Sequence, residues 1–231
     1  MTGASTSGRS SHRPEVRGED RTGGTARQYA AVGFYIAGAG GLGRETLDVA
    51  IACGTAVEAF LDDARAGQTV RGMPVLAPER APAVASYVIG IADPPARRRL
   101  AALLDGRGLR PTTLIHPRAV IAPETTLRLG CLVMANAHVS SSVSIGFHAQ
   151  VQYNATIGHD ALLGDRATVY PGANISGSVT LEEDVTVGSN AVVLQGRTIG
   201  RGSFVGAGAV VTRDVPAGTV VVGSPARPLV R

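Results

Sequence analysis

The residue pair best suited to move a proton in this chain is His159 followed directly by Asp160. An imidazole that titrates near neutrality can take the proton of an attacking hydroxyl or amine. A carboxylate beside it can hold the ring in orientation and stabilise the imidazolium as it forms. The plain alternative for any His in a loop is an exposed side chain with no task. A second group lies upstream, where Gly38, Gly40 and Gly43 spell G-x-G-x-x-G and Asp62-Asp63 follow nineteen residues beyond the last glycine. Backbone N–H groups at a helix N-terminus can hold phosphate oxygens where no Cβ obstructs them, so a dinucleotide reading is legitimate on the motif alone. The same glycines can equally serve tight strand-to-helix packing.

The elements that position these residues are legible in the spacing of apolar side chains. An aliphatic residue falls on every sixth position from Ile115 through Ile121, Leu127, Val133 and onward to Val211, seventeen times without a break. Period six fits neither a helix nor a simple alternating strand. It fits a β-helix, in which each hexapeptide makes one short strand and a corner and three make a coil. Two residues earlier the slot is mostly small, as in Ala119, Cys131, Ala137, Ala149 and Ala155. One large and one small inward residue per strand would fill a narrow triangular core. Glycine often follows the aliphatic residue (Gly146, Gly158, Gly164, Gly188), where the expected reason is a corner with φ > 0. His159, two residues after inward Ile157, should then point outward at a corner, with Ser141 one coil below it and Gly177 one coil above.

Residues 33–110 read differently. Phe34 to Ala37 is an apolar strand, Arg44 to Cys53 has helical spacing, Val57 to Leu61 is a second strand ending at Asp62, and strands at 72–76 and 86–91 follow. Pro94-Pro95 opens a second helix over Ala96 to Leu104. This is a βαβ-type half-domain with a parallel sheet, about half the size that a full dinucleotide fold needs. Its acidic pair, Asp62 and Asp63, would stand at the carboxyl end of a strand. Residues 1–32, rich in Ser, Thr, Gly and Arg, are expected to form a disordered tail. The fold class expected is therefore a small N-terminal α/β Rossmann-like half-domain (33–110) followed by a parallel β-helix (111–231).

Composition narrows the function. All 22 basic residues are Arg, which excludes lysine chemistry of any kind. The net charge of +4 is small, and no basic face with interleaved aromatics suggests nucleic acid. No apolar run approaches a membrane span, and no apolar stretch follows the N-terminal charges as in a secretory signal; a cytoplasmic protein is expected. Cys53 and Cys131 do not make a disulfide framework.

The repeats, the stretch Asn154-Ala-Thr-Ile-Gly-His159-Asp160, the stretch Pro171-Gly-Ala-Asn-Ile-Ser-Gly177 and the ending Val222-Gly-Ser-Pro-Ala-Arg227 resemble the hexapeptide-repeat acetyltransferases of the sialic-acid and bacillosamine type. The resemblance covers the chain from about Gly33 to Arg231. It implies a left-handed β-helix that binds acetyl-CoA and a half-domain that binds a nucleotide-linked sugar. In that family His159 would be the general base and Asp160 the acid that raises its basicity. The acceptor contacts would map to Gly40, Gly41 and Leu42, to Asp62 and Asp63, to Ala92 and to Asn154. At Ala92 the chain departs from the family's glycine. Contacts to the cofactor would fall on Thr168, Gly177, Ser189, Ala207 and Arg227, with Thr168 replacing a family His.

Two rival functions stand beside sugar acetylation. One is acyl transfer to a non-sugar small molecule; the other is a catalytically silent β-helix that binds a ligand or a partner. A metal hydrase, as in zinc carbonic anhydrases of related architecture, would need His138, His148 and His159 to converge. Their offsets from the repeat differ, so no metal is expected. A homotrimer is expected, because a lone prism would expose outward residues such as Val192, Val210 and Val221.

Overall fold

In the computed structural model, residues 33–229 are described here, and the expected N-terminal tail lies outside them. The α/β part comprises β1 (Phe34–Ala37), α1 (Gly41–Ala52), β2 (Val57–Leu61), β3 (Thr69–Val70), β4 (Met73–Leu76), β5 (Ser86–Ile89), α2 (Pro94–Gly106) and β6 (Arg110–Pro111). Sheet order is β3-β4-β2-β1-β5-β6, parallel except where β3 pairs antiparallel with β4. The short hairpin strand β3 carries too little periodicity to be read from sequence. Asp93 caps α2 by accepting from the Ala96 N–H at 2.8 Å, with prolines in the first turn. Thus the chain enters α2 where the sequence indicates.

From Leu114 onward the chain winds as a left-handed parallel β-helix. Each two-residue strand pairs in parallel with the one eighteen residues further on, as in Gln150↔Thr168 and Thr156↔Asn174. Three sheets result. The first runs from Leu114–Ile115 to Val220–Val222 and is closed by antiparallel Arg227–Pro228; the second runs from Val120–Ile121 to Val210–Val211; the third runs from Thr126–Leu127 to Thr198–Ile199.

The aliphatic and small slots point inward as expected and make one continuous core from Cys131 to Val221. Each buried aliphatic contributes about 1.5–3 kcal/mol. Ile115, the first of the series, remains 38% exposed, because no coil lies beneath it. Cys131 fills a small slot, and burial pushes its thiol up to about 12. Val221 corrects the expectation of an outward residue: it is buried in the core.

The glycine expectation is also corrected. The left-handed residue of a corner stands three positions after the aliphatic: Asn136, Ser142, His148, Asn154, Asp160, Arg166, Ser178, Asp184 and Asn190 have φ between +54° and +60°, and Gly130, Gly172, Gly196, Gly202 and Gly208 hold the same place at other corners. Asn and Asp tolerate that region. The glycine directly after the aliphatic meets a different demand. At Gly158 a Cβ would stand 2.5 Å from the backbone nitrogen of Gly177 on the next coil. Close stacking, and not turn geometry, requires glycine there.

The two parts share a core. Leu114 and Leu132 from the first β-helix sheet, and Met134 just beyond its strand, belong to the same apolar cluster as Phe34, Ile36, Val49 and Val88. β6 also extends the α/β sheet one residue beyond Arg110.

Candidate active site

His159 and Asp160 sit at the corner between the second and third β-helix sheets. His159 Nδ1 lies 2.7 Å from Asp160 Oδ2, and both side chains are more than half exposed. With the Nδ1 proton donated to the carboxylate, Nε2 carries the lone pair and is the nitrogen that can accept a proton. The backbone fixes this corner from both sides. Asp160 N–H donates to Ser141 O at 3.0 Å, and Ser178 N–H donates to His159 O at 2.7 Å. Ser141, His159 and Gly177 therefore stack as the register requires. The space above His159 is taken by its own ring: a Cβ on Gly177 would come 2.5 Å from Nε2. Gly177 is buried against the imidazole.

The remaining expected cofactor residues lie elsewhere. Ser189 and Ala207 stand one above the other at the corner between the first and second sheets, with Gly208 N–H donating to Ser189 O at 2.9 Å. Asn154 shares that corner and accepts from Asn136 Nδ2 at 3.2 Å. The second sheet separates this corner from His159. Its outward side chains include Val120 and His138, both exposed, and Val192 and Val210, both half-buried. Arg227 is exposed on the closing strand, its guanidinium on the Ala226 carbonyl at 2.8 Å.

Thr168 is corrected. It is fully buried, accepting from Arg97 Nη2 at 2.7 Å and donating to Ala92 O at 3.2 Å. A cofactor arm cannot reach that hydroxyl. Arg97 itself escaped the sequence reading, as one of three consecutive arginines on an apparent surface helix. Its side chain is completely buried, and the only hint was its helical register with Ala101 and Leu104.

In the α/β part the glycine motif divides into two roles. A Cβ on Gly43 would stand 2.0 Å from Gly38 O, and Gly38 itself has φ +104°. These two serve packing and turn. Gly40 and Gly41 have nothing within 4 Å of an added Cβ, so the open part of the loop is at the start of α1. No side chain caps that helix, and the first N–H groups of a helix have no intrahelical partners. Asp62 ties the loop down: Oδ2 accepts from Ala39 N–H at 2.9 Å and Oδ1 from Ala64 N–H at 3.0 Å. Asp63 is exposed in the short helical turn that follows.

The three histidines occupy separate places. His138 is outward on the second sheet and His159 is at its corner, whereas His148 is buried with its ring stacked on Tyr87 at 6.0 Å between centroids. Among the described residues no helix is long and apolar enough to cross a membrane.

Two family models match, the PglD N-terminal domain over residues 34–104 and the bacterial transferase hexapeptide repeat over residues 178–213. WeeI from Acinetobacter baumannii AYE superposes with a TM-score of 0.81 at 32% identity, covering 85% of this chain and 99% of WeeI. The chain belongs to the hexapeptide-repeat sugar acetyltransferases. This is an acetyl-CoA-dependent enzyme family. The acetyltransferase domain of PglB from Neisseria gonorrhoeae FA1090, in complex with acetyl coenzyme A, matches with a TM-score of 0.78 at 34% identity, covering 86% of this chain and 99% of that domain. GDP-perosamine N-acetyltransferase of Escherichia coli O157:H7 is 36% identical over 128 residues, half of this chain. That stretch spans 58% of the curated relative's length.

Proposed function

We propose that this chain transfers the acetyl group of acetyl-CoA to the amino group of a nucleotide-linked amino sugar, with His159 as general base. The observation that carries this reading is the imidazole held by Asp160 through Nδ1 and seated on Gly177, with Nε2 left to take a proton. The acceptor nitrogen attacks the thioester carbonyl, its proton passes to Nε2, and the carbon–sulfur bond breaks as that proton reaches the departing thiolate. No covalent acyl-enzyme is needed: Cys131 is buried, and Cys53, just after α1, has its thiol on the Ile115 carbonyl. The N-acetyltransferase name of the E. coli relative favours nitrogen over oxygen as the attacking atom.

The open start of α1 at Gly40, Gly41 and Leu42 suits the diphosphate of the acceptor, since unpaired N–H groups and the helix dipole favour an anion there. Asp62 and Asp63 suit its nucleoside end, where carboxylates accept from hydroxyls. Acetyl-CoA would lie along the β-helix edge. Cofactor positions Ser189 and Ala207 and the base His159 stand on two corners divided by the second sheet. A homotrimer that packs this sheet against a neighbouring prism would bring unlike corners of two copies together and cover Val192 and Val210.

The test is turnover of acetyl-CoA with GDP-, UDP- and dTDP-linked amino sugars, the product read by mass spectrometry and the assembly by light scattering. Acetylated nucleotide sugar from a trimer supports the reading. Acetylation of free amino acids or amines alone, or full activity from a monomer, contradicts it.

A further inference from the structure

Arg97 is the most deeply buried cation among the described residues, and none of its hydrogen-bond partners is a carboxylate. Nη1 donates to Ile91 O at 3.0 Å, Ala92 O at 2.8 Å and Gln150 Oε1 at 3.1 Å. Nη2 donates to Thr168 Oγ1 at 2.7 Å and to the Arg166 carbonyl. Gln150 reaches back, its Nε2 donating to Ile89 O at 2.8 Å and Ile91 O at 3.1 Å. Burial pushes the guanidinium down to about 10, still protonated at neutral pH. Asp184 and Asp93 act on the cation only from beyond hydrogen-bond reach, and a buried ion hydrogen-bonded to neutral groups alone is a poor way to gain stability, so its geometry asks for another reason.

Those bonds converge on one loop. The carbonyls of Ile89, Ile91 and Ala92, at the end of β5, are all held by side chains on the first β-helix sheet or by Arg97 lying between. The opposite side of the same loop abuts the glycine turn. A Cβ on Gly38 would meet the Ile91 side chain at 2.6 Å, and one on Gly90 would meet Gly43 Cα at 2.7 Å. The loop is thus a wall of the turn that the proposed function gives to the acceptor's diphosphate, and its position is set by the β-helix.

We propose that Arg97, seconded by Gln150, is a positioning residue for the acceptor: it clamps residues 89–92 to the β-helix so that the glycine turn keeps the shape that binds the nucleotide. The inference rests on the acceptor reading above. Arg suits the task because its two terminal nitrogens, held in one plane, serve loop and sheet together, whereas Lys offers three donors from one point; the Arg97 Nε proton has no partner among the described residues.

The test compares wild type, Arg97→Met, Arg97→Lys and Gln150→Leu in the full chain, with the GDP-, UDP- or dTDP-linked amino sugar that the wild type acetylates as acceptor probe. Arg97→Met should raise the acceptor KM about 10- to 100-fold, the scale of a displaced binding group, and leave the acetyl-CoA KM within about twofold. Hydrogen exchange in residues 89–93 should quicken. Arg97→Lys should fall between, and Gln150→Leu should repeat the pattern at smaller amplitude, which keeps the test decisive if Arg97→Met fails to fold. Equal rises in both KM values, or unchanged exchange at 89–93, would make Arg97 an ordinary stabiliser and overturn the proposal. Wild-type protein that turns over none of the GDP-, UDP- and dTDP-linked amino sugars would instead sink the acceptor reading and this proposal with it, a failure seen without any variant.

Discussion

The imidazole of His159 lies against the Cα of Gly177, one coil further along, so closely that a methyl group there would stand 2.5 Å from Nε2. The glycine therefore decides where the proton-accepting nitrogen points. Replacing Gly177 with Ala should swing the ring aside and lower kcat about 10- to 100-fold, as small misplacements of reacting groups do. The thermal midpoint should move little, because the ring is exposed and can swing. Steady-state kinetics beside a melting curve checks this; unchanged kcat would show that the ring's seat is immaterial.

Asp160→Asn isolates the carboxylate from the fold. Asp160 has φ +57°, a conformation that Asn adopts at 136, 154 and 190 in this same chain. The corner should survive, and the exposed His159–Asp160 contact contributes at most about 1 kcal/mol to stability. The variant should lose kcat in the same direction as loss of His159 but by less, about 10- to 100-fold. A fall in thermal midpoint with kcat preserved would assign Asp160 to structure alone.

The glycine motif should separate into two classes of variant. Gly43→Ala forces a Cβ to 2.0 Å from the Gly38 carbonyl and should destabilise the protein by about 1–3 kcal/mol or more, as overpacking does. Gly41→Ala meets open space and should change stability by no more than about 0.5 kcal/mol. Gly41→Val should raise the acceptor KM and leave that of acetyl-CoA in place. Denaturant titration of the two alanine variants reads the difference directly; equal destabilisation would refute it.

His148 gives the fold a dependence on pH. Burial holds its pKa below the ordinary 6.5; Arg97 and Arg166 push the same way, and Asp105 and Asp165 oppose. Its ring is stacked on Tyr87, whose hydroxyl donates to Asp105 at 2.7 Å. Between 6.5 and the depressed folded value the unfolded chain binds the proton and the folded chain does not, so stability rises with pH in that window. The contribution is complete above 6.5 and is lost as pH falls below it. Thermal midpoints from pH 7 to pH 5 should decline in the wild type and decline less steeply in His148→Asn, a residue that keeps the left-handed corner. Parallel slopes would remove His148 from the account.

The β-helix was legible because one inward slot repeats every six residues from Ile115 to Val211, and a narrow core permits little but aliphatics there. His159 and Asp160 were legible because register placed them outward at a corner. Interactions across the shared core were not. Thr168 occupies an outward slot, and nothing in the repeat reveals that α2 covers it. Arg97 stands in a run with Arg98 and Arg99, and three adjacent arginines read as solvated. Arg98 instead pairs with Asp184 across the same interface. Glycines 146, 158 and 164 look like turn residues in the sequence, whereas what they avoid is the backbone of the next coil, which lies outside any local pattern.

The account turns on His159 as the base, and the most direct measurement is acetyl transfer by His159→Ala at saturating substrates, with acetyl-CoA affinity measured by calorimetry on the same protein. The account predicts a kcat lower by about 10²–10⁴-fold with affinity for acetyl-CoA nearly intact. A variant that keeps most of its kcat would contradict it.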